Sequence, residues 1–134
     1  TSPWYLAYQS GFENTATFTT PGGVARVVTT NGNGSPERVK LVQNVGFEPL
    51  KQYTISFDIR TTSAASKPVY FSTWIKEVDG NFFNQLVWAN QNWQTVSHSF
   101  SYSGDYSMYT LALAFKLANG DVGIEIDNVS VVEN

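Results

Sequence analysis

Tyr53-Thr54-Ile55-Ser56-Phe57-Asp58-Ile59-Arg60 alternates apolar and polar residues without a break. Period two sends Tyr53, Ile55, Phe57 and Ile59 to one side of an extended chain and Thr54, Ser56, Asp58 and Arg60 to the other. Such a stretch is a strand with one face in a core and one toward water. Tyr109 to Leu117 repeats the pattern, with Leu111, Leu113, Phe115 and Leu117 inward and Thr110, Ala112, Ala114 and Lys116 outward. The small outward residues leave room for a groove.

Working outward, the same period marks strands at Ala16–Phe18, Ala25–Thr30, Arg38–Gln43, Val69–Ile75, Gln94–Tyr102 and Gly123–Val131, and helical spacing is sustained nowhere. Between them lie Pro21-Gly22-Gly23, Asn31-Gly32-Asn33-Gly34, Asp79-Gly80-Asn81 and Asn119-Gly120-Asp121, residues that tolerate the positive φ of tight turns. Eight or so short strands at this spacing predict an all-β chain of two packed antiparallel sheets, a β-sandwich. With no repeat, linker or low-complexity segment, residues 1–134 read as one domain.

Aromatic residues make up 15 % of the chain and charged residues only 14 %, so the rings ask for a role beyond core filling. A net charge of -3 argues against a nucleic-acid binder, whose affinity rests on a basic face. No Cys is present, which removes disulfides, thiolate zinc sites and a thiol nucleophile. No apolar run approaches the roughly 20 residues that cross a bilayer. A start at Thr1 without Met points to an excised or processed chain.

Taken in order, Pro3-Trp4-Tyr5-Leu6, Arg38-Val39-Lys40-Leu41-Val42-Gln43, Tyr53 to Asp58, Trp93-Gln94-Thr95-Val96-Ser97 and Ile126-Asp127-Asn128-Val129-Ser130-Val131 cover most of the chain. Together they resemble the carbohydrate-binding modules of families 4, 9, 16 and 22. The resemblance implies a jelly-roll sandwich that is secreted, performs no chemistry, and holds a catalytic domain of the same parent chain on a plant or algal polysaccharide. It also implies a structural calcium held by the Asp of the closing motif, here Asp127, with a Glu from an opening Asn-Gly-x-Phe-Glu-like strand. Phe12-Glu13 looks like that strand but follows Trp4, so the role does not pass to Glu13. A lone carboxylate is compatible equally with bonding backbone amides at the end of a sheet. The family places Trp4 and Trp93 in the core.

Sugars present apolar C–H faces to flat rings and hydroxyls to polar neighbours. If Val69, Phe71 and Ile75 point inward, Tyr70 and Trp74 share the outer side of one strand, unless a bulge inverts the parity. Asn81 to Trp88 is rich in rings and amides, and the resemblance puts Trp88 and Gln85 near the binding face; packing of Phe82, Leu86 and Trp88 is the other reading. Arg26, Arg38, Lys40, Arg60, Lys76 and Lys116 all fall at outward positions. They suit an anionic glycan if several share a sheet, and otherwise they keep sheets soluble. Two further functions stay open: a structural or adhesive sandwich that binds no sugar, and a small jelly-roll glycoside hydrolase or lyase. No carboxylate pair or nucleophile pattern points to catalysis, and His98 shares parity with Val96 and Phe100 as a half-buried residue.

Overall fold

The structure, a computed structural model, describes residues 4–8, 16–29, 39–78, 80–106, 108–117 and 122–134, with residue 82 by its backbone alone. Among these residues the chain forms ten strands: β1 Tyr5–Tyr8, β2 Ala16–Thr19, β3 Ala25–Thr29, β4 Val39–Asn44, β5 Gln52–Thr61, β6 Lys67–Ile75, β7 Gly80–Ala89, β8 Gln94–Ser101, β9 Leu111–Lys116 and β10 Ile124–Glu133. They make two five-stranded sheets of order β1-β4-β9-β6-β7 and β2-β3-β10-β5-β8. Every pairing is antiparallel. The sandwich expected from the alternation is therefore present, with two strands added. β1 and β7 form the edges of the first sheet, and β7 falls where the sequence read only as a ring- and amide-rich stretch.

The core follows from parity. Ile55, Phe57 and Ile59 of β5 meet Val69 and Phe71 of β6 and Leu113 and Phe115 of β9, all at most 1 % exposed. Phe57 sits edge-on to both Phe71 and Phe115 at 4.9 Å between ring centres. This geometry sets the positive ring edge on the negative ring face. A second aromatic group, Phe47, Tyr53, Phe83 and Phe100, fills the end of the sandwich, with Phe83 stacked on Phe100 at 4.8 Å. His98 is half-buried beside Phe71 and Phe83, as its parity predicts.

Pro68 lies in β6, where a missing N–H interrupts a ladder. It is tolerated because β6 meets β9 only from Tyr70 onward, so Pro68 has a single neighbouring strand. The register between β6 and β7 shifts at Thr73/Trp74, and the pairings Thr73↔Phe83 and Trp74↔Asn81 leave residue 82 as the extra one. The bulge thus falls in β7. Alternation in β6 continues undisturbed against β9, and the parity of Tyr70 and Trp74 survives. The Pro21-Gly22-Gly23 turn is a short 3-10 segment with φ of 60° at Gly22 and 86° at Gly23, as the turn chemistry requires. The expected turns at Asn31–Gly34 and Asn119–Asp121 lie outside the described residues.

Candidate functional site: the outward face of the first sheet

Cross-strand register orders the outward face of the first sheet into rows. One row is Ala7, Lys40, Lys116, Tyr70 and Leu86; the next is Tyr5, Val42, Ala114, Ser72 and Asn84; a third is Asn44, Ala112, Trp74 and Asn81. Trp88 stands opposite Pro68, one step beyond Tyr70 on the same side. Tyr70, Trp74 and Trp88 therefore share this face. Gln85 does not, because it pairs with inward-facing Phe71 and points to the other side of β7.

The face is less open than alternation alone predicts. Trp74 is only 7 % exposed, and it packs with Val42, Ala112 and Ala114, with Tyr5 and Ala7 against them. Ala112 and Ala114, expected to floor a groove, are fully covered. Their small side chains let the Trp74 indole spread over β9 toward β4, where Lys40 Nζ lies 5.1 Å from the ring centre. A cation over an indole is favourable and more so when desolvated. Lys40 and Lys116 are 5 % and 3 % exposed, and neither is without a partner. Two lysines directly opposite each other repel unless compensated. Near one edge Tyr5 donates its hydroxyl hydrogen to Asn44 Oδ1 at 2.8 Å, and Lys76 Nζ lies 5.5 Å from the Tyr5 ring centre. Trp88, by contrast, is 60 % exposed.

The outward cations divide between the sheets. Lys40 and Lys116 belong to the first, whereas Arg26 on β3 and Arg60 on β5 belong to the second. The single basic face that the sequence allowed is thus split, and Arg38 lies outside the described residues. Trp4 is half-buried, 5.9 Å from Phe115. Trp93 departs from its expected core position: it is 41 % exposed, with the Arg60 guanidinium carbon 4.6 Å from its ring centre. It precedes β8 on the outward parity of that strand, which is why the ring leaves the core.

Asp127 lines a cavity of about 380 Å³ with Trp4, Thr20, Gln43 and Asn128. Its Oδ1 accepts the backbone N–H of Asn128 at 2.9 Å. Asn128 has a φ of 52°, within a register shift between Asp127 and Ser130, and donates from Nδ2 to Asp58 Oδ2 at 2.8 Å. The Asp-Asn pair of the closing motif thus builds a bulge in β10, the amide-bonding role open to Asp127 from the start. Among the described residues no three acidic or histidine side chains converge. Calcium takes six to eight oxygens. Carbonyl and amide oxygens serve it as well as carboxylates, and Glu13 lies outside the described residues. No helix among them is long and apolar enough to cross a membrane.

No protein-family model and no curated protein matches the sequence. The fold, however, has solved counterparts. A family 4 carbohydrate-binding module superposes with a TM-score of 0.82 at 21 % identity, over 98 % of this chain and 86 % of that one. The second N-terminal cellulose-binding domain of Cellulomonas fimi β-1,4-glucanase C gives 0.73 at 22 %, over 98 % and 86 %. A family 11 module from Clostridium thermocellum, in complex with a β-1,3-1,4-mixed-linked tetrasaccharide, gives 0.65 at 16 %, over 97 % and 88 %. The chain has the jelly-roll fold of carbohydrate-binding modules.

Proposed function

We propose that this chain is a non-catalytic, extracellular module that binds a neutral β-linked plant or algal polysaccharide on the outward face of the first sheet. It tethers an enzyme attached to the same parent chain to that polymer. The observation that carries this reading is the gathering of Tyr5, Tyr70 and Trp88 with Asn44, Asn81 and Asn84 on one face of a fold shared with sugar-binding modules. Rings stack on the apolar faces of sugars, and amides serve their hydroxyls. Trp88 is the most accessible of these rings and takes the leading contact, with Tyr70 one step away on the same face.

A neutral ligand is favoured because Lys40 and Lys116 are buried and engaged. The sugars of two of the fold's counterparts, cellulose and a mixed-linked β-glucan, are neutral as well. The non-catalytic reading is supported by the fold's counterparts, which are sugar-binding modules. The benefit to the attached enzyme is a raised local concentration on an insoluble substrate.

The test is retardation on affinity gels containing mixed-linked β-glucan, xylan or alginate, followed by calorimetry with matching oligosaccharides. Retardation by a neutral β-glycan, weakened about two- to tenfold in Trp88→Ala, is the expected result. No retardation on any glycan supports the structural or adhesive sandwich, which the covering of Trp74 favours.

A further inference from the structure

We propose a second binding site, on the outward face of the other sheet, that takes the carboxylate of a uronic-acid sugar. It stands independently of glycan binding on the first face. Register places Thr19, Arg26, Glu125 and Arg60 in one row across β2, β3, β10 and β5. Glu125, 4 % exposed, is the hub. Its Oε2 accepts from Arg26 Nε at 2.9 Å and Nη2 at 2.8 Å, and its Oε1 accepts from Arg60 Nε at 2.7 Å.

One buried carboxylate thus orients two guanidinium groups, and Asp58 and Asp127 stand in the adjacent row of the same face. Both arginine side chains stay open to solvent, at 42 % for Arg26 and 38 % for Arg60. The terminal nitrogens of Arg60 have no acceptor among the described residues. They face solvent on a guanidinium that Glu125 and Trp93 hold in orientation, and a guanidinium fork matches a carboxylate in geometry.

The surroundings identify a sugar. Arg26, Arg60 and Glu125 wall a depression of about 220 Å³ with Thr62 and Gln91, whose hydroxyl and amide suit sugar hydroxyls. That volume is below the roughly 300–1,000 Å³ of sites for drug-sized ligands, so it holds one ring of a chain that continues outside. Beside it Trp93 rests on Arg60, an exposed indole whose orientation the guanidinium fixes. An apolar sugar face against Trp93, with its carboxylate on Arg60, satisfies both groups.

The experiment is a titration of the intact chain with trigalacturonate and with cellotriose at low salt, following the indole N–H signal of Trp93 and the side-chain signals of Arg60 by NMR. Trigalacturonate is expected to shift both signals, and 0.5 M salt to weaken its binding. Trp93→Ala and Arg60→Gln are expected to weaken it at least fivefold, with melting curves verifying the fold. Trp93 signals that stay in place with trigalacturonate, an equal response to cellotriose, or native affinity in Trp93→Ala would each overturn the proposal.

Discussion

Lys40 Nζ lies 5.1 Å from the centre of the Trp74 indole, and the ring beneath it packs on Val42, Ala112 and Ala114. A tryptophan on the outward side of a strand is thereby a structural residue of that face. Trp74→Ala is expected to destabilise the protein by about 3–5 kcal/mol. Trp88→Ala, at a 60 % exposed position, is expected to stay within about 0.5 kcal/mol of the native protein. Urea denaturation of the two variants measures the contrast, and equal losses would contradict it.

Phe57 joins the sheets through edge-on contacts to Phe71 and Phe115. Phe57→Ala removes both contacts from a site 1 % exposed, and the expected cost is about 3–5 kcal/mol. Phe57→Leu keeps most of the volume and is expected to cost less than half as much. Denaturation midpoints at constant slope provide the readout.

Acid is expected to weaken the fold through Glu125. Burial alone raises its pKa, but hydrogen bonds and charge from Arg60 and Arg26 outweigh burial and hold it below the ordinary value. A depressed folded pKa means that the unfolded chain binds the proton first as pH falls. The stabilisation is full above about pH 4.3 and fades as pH drops through the lower folded value. Asp58, held down by the Thr95 hydroxyl and then the Asn128 amide, and Glu77, held down by the Thr110 N–H, titrate in the same sense. Melting temperature is expected to fall between pH 5 and 3, with a shallower fall in Glu125→Gln. At pH 7 that variant is expected to lose about 1–2 kcal/mol, less than a fully buried pair because both arginines are partly open.

Thr73 Oγ1 is buried without a hydrogen-bond partner, beside the β7 bulge. Thr73→Val keeps the shape and removes the unmet hydroxyl, and a gain of about 1 kcal/mol is expected. Calorimetric melting tests it; an unchanged or lower melting temperature would show that the hydroxyl is satisfied.

Parity was enough to assign the inward residues of β5, β6 and β9, because a period of two leaves each side chain only two directions. The same rule put Tyr70 and Trp74 on one face; Trp88, taken from the resemblance, joins them there, and Gln85, taken with it, points the other way. β7 escaped notice because its alternation is broken by the extra residue at 82 and by amides among the rings. Trp93 was read as core from the resemblance, yet it leaves the core beside Arg60.

Local alternation and turn residues act within a few positions, and they were enough for eight of the ten described strands, for the direction of most side chains along them and for the class of fold. Which outward residues meet was settled by the packing of the sheets, beyond the reach of local pattern. That packing laid Trp74 under Lys40, separated Lys40 and Lys116 from Arg26 and Arg60, and joined Arg26, Glu125 and Arg60, which lie far apart in sequence. Strand order makes such neighbours, and strand order follows from how two sheets close on a common core.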